Sequence, residues 1–223
     1  MYVIYDRPAS VALAQHNLGD GRIRARIKRV ADIVVSGAAL VFLAPLLFVL
    51  WIIVRLDGHE GLFRQTRVGR GGHAFYCLKY RTMAPDAEAR LEAVLKADSA
   101  AAVQWAMYQK LADDPRITPV GRFLRKTNLD ELPQLWNIFC GDMSLIGPRP
   151  ILFKQVEAYG LAIESYVKFR PGLSGLWQVS GRNNTTFAQR ARLDQIYADN
   201  WSLAGDFIIL LRTMREVLFS SGS

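Results

Sequence analysis

IVVSGAALVFLAPLLFVLWIIV, residues 33–54, contains no charged side chain. As a helix it is long enough to cross the hydrocarbon core of a bilayer. A secretory signal is a poor fit: the run lies far from Met1, exceeds an h-region in length and lacks a small-residue cleavage site before Arg55. Basic runs lie on both sides, RIRARIKR at 22–29 and FRQTRVGR at 63–70. Each favours the cytoplasmic side of a membrane, and a straight span satisfies only one of them. A helix that enters and leaves by the same face satisfies both. Pro45, near the middle, removes an N–H and bends the helix by its ring clash. The residues therefore favour a re-entrant helix bent at Pro45 over a single-span anchor, with Trp51 as an interfacial anchor and Arg55 snorkelling to headgroups.

Outward from this run, the chain of 223 residues has room for one domain with a real core plus an appendage. Three regions are expected: a tail over 1–27, the membrane helix over 28–56 and the main domain over 57–223. The fold class is α/β, mostly α. GLFRQTRVG and HAFYCLKYRTM read as two strands of a β-hairpin around Arg70-Gly71-Gly72. No GKS or GKT follows those glycines, which weakens a phosphate-cradling reading. Pro85 to Leu111 reads as one or two amphipathic helices, and residues 113–119 as a turn. LPQLWNIF places Leu132, Leu135, Trp136 and Phe139 at helical spacing, with Gly141 set to end the helix. The segment 206–219 reads as an amphipathic helix that packs in the core or lies on a membrane surface, core packing being the safer choice.

Composition narrows the chemistry. Cys77 and Cys140 suggest neither a disulfide framework nor a metal knuckle. Lysines and arginines number 28 against 20 acids, a net charge of +8, which points to an anionic partner. His16, His59 and His73 lie far from any motif, against a Ser/His/Asp triad or a histidine metal site. Neither a Walker A sequence nor a strand-linked GxGxxG occurs. What remains are carboxylates and arginines.

In NLDELPQLWN, residues 128–137, Asp130 and Glu131 stand side by side ahead of an apolar helix. Asn128 as N-cap and Glu131 as the reciprocal capping-box acid would explain both locally. The alternative is catalytic. A carboxylate can act as a nucleophile, and Mg²⁺ needs only one or two carboxylates when substrate phosphates supply the other oxygens. Arg125, Lys126 and Arg149 are the nearest candidate cations for a phosphate, with Lys79 and Arg81 as weaker ones. Arg149 lies between Pro148 and Pro150, a stiff support suited to bidentate recognition, although a rigid turn with a solvated arginine reads equally well in isolation.

KYRTM, DDPRITPVGRFLRKTNLDELPQLWNIFCGDMSLIGPRP and RPGLSGLWQVSGR together resemble the bacterial sugar transferases, the monotopic polyprenyl-phosphate phosphoglycosyl transferases. The resemblance runs from about Lys28 to Leu218. It implies a monotopic protein with a re-entrant, Pro-broken helix and a catalytic domain with interfacial helices at the cytoplasmic face of the bacterial inner membrane. It implies transfer of a sugar 1-phosphate from a UDP-sugar to undecaprenyl phosphate with release of UMP. Asp130 takes the place of the family's nucleophile and Mg²⁺ site, and Glu131 that of the neighbouring acid, whose role stays open. Arg149 and Arg125 take the places of its phosphate-binding arginines, and Lys79 and Arg81 those of its Lys-aromatic-Arg motif. The family's Ser-Pro helix break falls on Ala44-Pro45, a departure that removes a hydroxyl from the break.

The lack of spans before Lys28 resembles the short form of the family. The insert from Asp86 to Asp113 resembles the branch that uses hexose 1-phosphates such as galactose or glucose, as in exopolysaccharide synthesis. Expected partners are the UDP-sugar, undecaprenyl phosphate, membrane lipids, a second copy of the chain and downstream glycosyltransferases, with no nucleic acid. The rival readings are a membrane-bound Mg²⁺-dependent phosphatase or nucleotide-sugar hydrolase, and a basic membrane adapter without activity.

Overall fold

The computed structural model describes residues 18–56, 60–108, 111, 113–180 and 185–219. Most of the expected tail, with His16, lies outside these residues, as do His59 and Arg182. Helix α1 runs from Leu18 to Arg55, so it begins ten residues ahead of the expected start at Lys28. It is helical through Ala44 and Pro45, and the expected break therefore does not interrupt it. Proline removes a single donor, and the helical bonds on either side persist.

One side of α1 grips the rest of the chain along most of its length. Lys28 Nζ donates to the Ile146 carbonyl at 2.8 Å and to Asp206 at 2.6 Å. Arg29 donates to the carbonyls of Ile138 and Phe139. Buried Asp32 accepts from the Ser144 hydroxyl at 3.1 Å and the Leu145 N–H at 3.0 Å. Farther along, Ala39, Leu40 and Leu43 pack on Cys77, Leu135, Ile138 and Met143, and Leu50 and Val54 on Tyr80 and Leu124. The opposite side, including Val34, Val41, Phe42, Phe48 and Val49, is exposed and apolar. Trp51 stacks with Phe48 and lies under the Arg55 guanidinium.

The hairpin forms as its sequence predicts. Strands β1 (Leu62–Val68) and β2 (Ala74–Tyr80) pair antiparallel, Leu62 opposite Tyr80 and Val68 opposite Ala74, around the turn Arg70–Gly72. The insert is two helices, α2 (Ala87–Ala97) and α3 (Ser99–Tyr108). Helix α4 (Pro119–Lys126) starts on Thr118, whose side chain accepts from Gly121 N–H, with Pro119 in the first turn.

Helix α5 (Gln134–Cys140) ends at Gly141 in the left-handed conformation, as the sequence indicates. Its buried face is Gln134, Leu135, Asn137 and Ile138, whereas Trp136 and Phe139 are exposed and lie ring against ring. The expected apolar face is therefore half wrong. Of the two polar residues turned inward, Asn137 accepts from Leu78 N–H and donates to the Tyr76 carbonyl, fixing β2 against α5.

A second sheet, absent from the sequence reading, pairs β3 (Ser144–Ile146) in parallel with β4 (Gly172–Ser174). The approach requires glycine, because a Cβ on Gly172 would collide with the Gly147 backbone. Between the two strands lie the short helices α6 (Val156–Tyr159) and α7 (Ala162–Tyr166). They build a core of Val68, Ile151, Tyr159 and Tyr166 with Ala191 of helix α8 (Phe187–Asp199). Helix α9 (Leu203–Phe219) buries Ile209 but exposes the stripe Phe207, Ile208, Leu211 and Met214. Core packing thus accounts for only one side of it.

Candidate active site

Asn128 takes a left-handed backbone, φ 56°, and makes no side-chain cap bond. It turns the chain after α4 into the 3₁₀ turn Leu129–Glu131, and α5 begins only after Pro133. The expected capping box is therefore absent. Its acid is engaged elsewhere: Glu131 Oε1 accepts from Lys79 Nζ at 2.6 Å and from Arg149 Nη2 at 3.1 Å. Strand β2 supplies Lys79, and the loop after β3 supplies Arg149.

These contacts set the charge states. Burial would raise the Glu131 carboxyl, but Lys79 and then Arg149 outweigh it and pull it down to about 2. Burial would lower the Arg149 guanidinium, and Glu131 reverses this and raises it. Asp130 differs from its neighbour. It is 7% exposed, and among the described residues no hydrogen bond or ion pair engages its carboxylate. Burial raises its pKa, with Lys79, Arg125 and Arg149 opposing. The pair is thus divided into one acid with its charge met and one without.

Arg125 joins the site through its field on Asp130 while its Nε donates to Thr82 Oγ1 at 2.9 Å. Arg81 does not join the cluster; it faces Glu60 at 3.6 Å and the Phe63 ring. Several functional neighbours were missed in the sequence. The Arg149 guanidinium lies over the buried Trp177 ring at 5.3 Å, and Arg190 lies over that ring at 4.9 Å. Asp194, fully buried, accepts from Tyr159 Oη at 2.8 Å and feels the backbone N–H of Arg149. Burial pushes its carboxyl up to about 7. The Arg67 guanidinium donates to the Pro150 carbonyl at 2.9 Å. The Pro148-Arg149-Pro150 turn is thus braced from two sides.

The residues fit a magnesium ion in one form only. Among the described residues no three metal-ligating side chains cluster, so Asp130, whose carboxylate lacks a direct partner, would hold the ion together with substrate phosphate oxygens. Bound there, the ion would offset diphosphate charge.

A buried carboxylate turn thus faces a lysine and an arginine beside a helix long and apolar enough to cross a membrane. The bacterial sugar transferase family matches residues 23–220, and the chain belongs to that family. It is 42% identical over its whole length to an undecaprenyl-phosphate galactose phosphotransferase of Salmonella typhimurium, of which it covers 47%. It is 44% identical, over 88% of this chain and 87% of the relative, to an exopolysaccharide production protein of Sinorhizobium fredii. A UDP-glucose:undecaprenyl-phosphate glucose-1-phosphate transferase of Caulobacter vibrioides is 39% identical over 86% of the chain and 69% of the relative. The chain spans about half the length of several curated relatives it matches, the Salmonella protein among them.

Proposed function

We propose that the chain transfers a hexose 1-phosphate, galactose or glucose, from a UDP-sugar to undecaprenyl phosphate, releasing UMP, at the cytoplasmic face of the inner membrane in exopolysaccharide assembly. The observation that carries the mechanism is the division of labour between the two acids. Glu131 already serves two cations and, with its carboxyl held near 2, is a poor proton acceptor at neutral pH. It is the positioning group for Lys79 and Arg149. Asp130 is the nucleophile.

An Asp130 carboxylate oxygen attacks the phosphorus that bears the sugar. The bond from that phosphorus to UMP breaks, and UMP leaves with the electron pair. An oxygen of undecaprenyl phosphate then attacks the same phosphorus and releases Asp130. Lys79, Arg149 and Arg125 stabilise the charge that gathers on the phosphoryl oxygens.

Re-entry of α1, as a continuous helix with both ends on one membrane face rather than one broken at Pro45, is supported by its grip. From Lys28 to Val54 a straight helix rises roughly 40 Å, yet both residues hold the same domain. A crossing helix would carry one of them to the far side of the bilayer. The exposed apolar sides of α1 and α9 and the Trp136/Phe139 pair support a surface that sits in the lipid interface.

The test is incubation with UDP-galactose labelled in the sugar, without lipid. A covalent adduct is expected in the wild type and none in Asp130→Asn. No adduct in the wild type, or an equal one in the variant, overturns the nucleophile. UMP release that does not depend on undecaprenyl phosphate would instead favour a hydrolase.

A further inference from the structure

Between the hairpin and the Arg149 turn lies a small cavity of about 10 Å³, walled by Arg67, Cys77, Lys79, Glu131, Gln134 and Arg149. We propose that it is a subsite for one nonbridging oxygen of a substrate phosphate, with Arg67 and Gln134 as its donors.

Two buried donors in this wall have no hydrogen-bond partner, Arg67 Nε and Gln134 Nε2. Gln134 is 2% exposed, so water outside the protein does not serve it. The remaining nitrogens of Arg67 are occupied: Nη1 donates to the Pro150 carbonyl at 2.9 Å and Nη2 to Gln65 Oε1 at 2.5 Å. Those bonds fix the guanidinium plane and leave Nε as its nitrogen without a partner. Unpaired buried donors are costly and rare in native proteins, which makes two in one wall a sign of a missing guest.

The wall also selects the guest. Glu131 Oε1 is already taken by Lys79 and Arg149, and the charges of the wall sum to positive, with Arg67, Lys79 and Arg149 against the single acid Glu131. The Cys77 thiol is held protonated by burial. The surroundings thus offer donors and positive charge, which suit an anionic acceptor and repel a cation. The volume admits a single oxygen atom and excludes a whole phosphate. The phosphorus stays at the opening, beside Lys79 and Arg149, while one oxygen reaches in. That oxygen belongs either to the donor diphosphate or to the lipid phosphate, and this last step rests on the proposed function. Binding of phosphate itself does not.

The test uses the full chain in nanodiscs of phosphatidylethanolamine and phosphatidylglycerol. Its thermal midpoint is followed against inorganic phosphate, with potassium chloride at matched ionic strength as control. The wild type is expected to gain stability from phosphate beyond the chloride control. Gln134→Met, which keeps shape without the donor, and Arg67→Lys, which keeps charge without Nε, should weaken apparent phosphate affinity about tenfold. Equal affinity in the wild type and both variants overturns the subsite and leaves the cavity to water.

A readout that needs neither variant to fold is the Arg67 Nε–H resonance of the wild type: a shift on phosphate addition supports the subsite and an unmoved resonance overturns it. Kinetic arms then separate the sources. A raised KM confined to the UDP-sugar assigns the oxygen to the donor, and one confined to undecaprenyl phosphate assigns it to the acceptor. If the variants lose phosphate binding while the wild type transfers no sugar phosphate, the proposed function falls and the subsite stands.

Discussion

Glu131 makes its own ionisation a contribution to stability. Its carboxyl is near 2 in the folded chain and 4.5 when unperturbed, so the unfolded chain binds the proton more readily between these values. The stabilisation is complete above pH 4.5 and is lost as pH falls toward 2, roughly 3 kcal/mol in all. Acid unfolding of Glu131→Gln should lack that slope, as followed by circular dichroism. Asp194 works in the opposite sense. Its carboxyl, raised to about 7 from 3.8, binds its proton more readily in the folded chain. Stability therefore falls as pH rises from about 4 to about 7, and Asp194→Asn should flatten denaturant midpoints across that window. Arg149→Lys keeps a charge but loses the planar group that meets Glu131 and Trp177 together. It should lower adduct formation at least tenfold, measured with the labelled sugar nucleotide. At this scale Asp130, Glu131, Lys79, Arg125 and Arg149 were legible because each stands inside a motif. Trp177 also stands inside one, RPGLSGLWQVSGR, but carries no charge to mark it, and Arg190 and Asp194 lie in none; all three reach Arg149 only through folding of the chain after α7.

Among the elements, α5 shows where periodicity misleads. The spacing identified the helix and its glycine stop, but only Leu132 and Leu135 of the expected face turn toward the core, while Trp136 and Phe139 are exposed. Asn137 is buried because it completes hydrogen bonds that β2 otherwise lacks. Asn137→Leu strands the Leu78 N–H and the Tyr76 carbonyl and should cost about 2 kcal/mol, read from urea unfolding of the detergent-solubilised chain. The exposed stripe of α9 carries its own expectation. With α1 still holding the chain in the bilayer, Phe207→Glu with Leu211→Glu should free α9 from the vesicle surface, read as loss of lipid quenching at a fluorescent probe on Met214→Cys, whereas Arg215→Glu should change it far less. The hairpin was legible from alternation and its glycines, and its register sets Arg67, Cys77 and Lys79 on one face. The parallel pair β3 and β4 escaped because three-residue strands carry too little pattern, and their pairing depends on contacts far apart in sequence.

For the molecule as a whole, the re-entry proposed above would put both ends of α1 in one compartment. With Cys140→Ser as background and Cys77 buried, single cysteines at Arg24 and at Leu56 should react with a membrane-impermeant maleimide from the same side of sealed vesicles. Labelling from opposite sides would show that α1 crosses. The bond from Asp32 to β3 and the packing of Leu50 and Val54 on Tyr80 and Leu124 also change what kind of part α1 is. It is not a tether fastened to a finished enzyme. Removing it would open the core beneath Tyr80 and strip β3 of a buried partner, so residues 57–223 alone should aggregate rather than yield a soluble catalyst. During synthesis the helix is made first, and the rest of the chain condenses on it. Folding of the candidate site is therefore coupled to that of the helix, and under the membrane docking proposed above the two would mature together at the lipid surface.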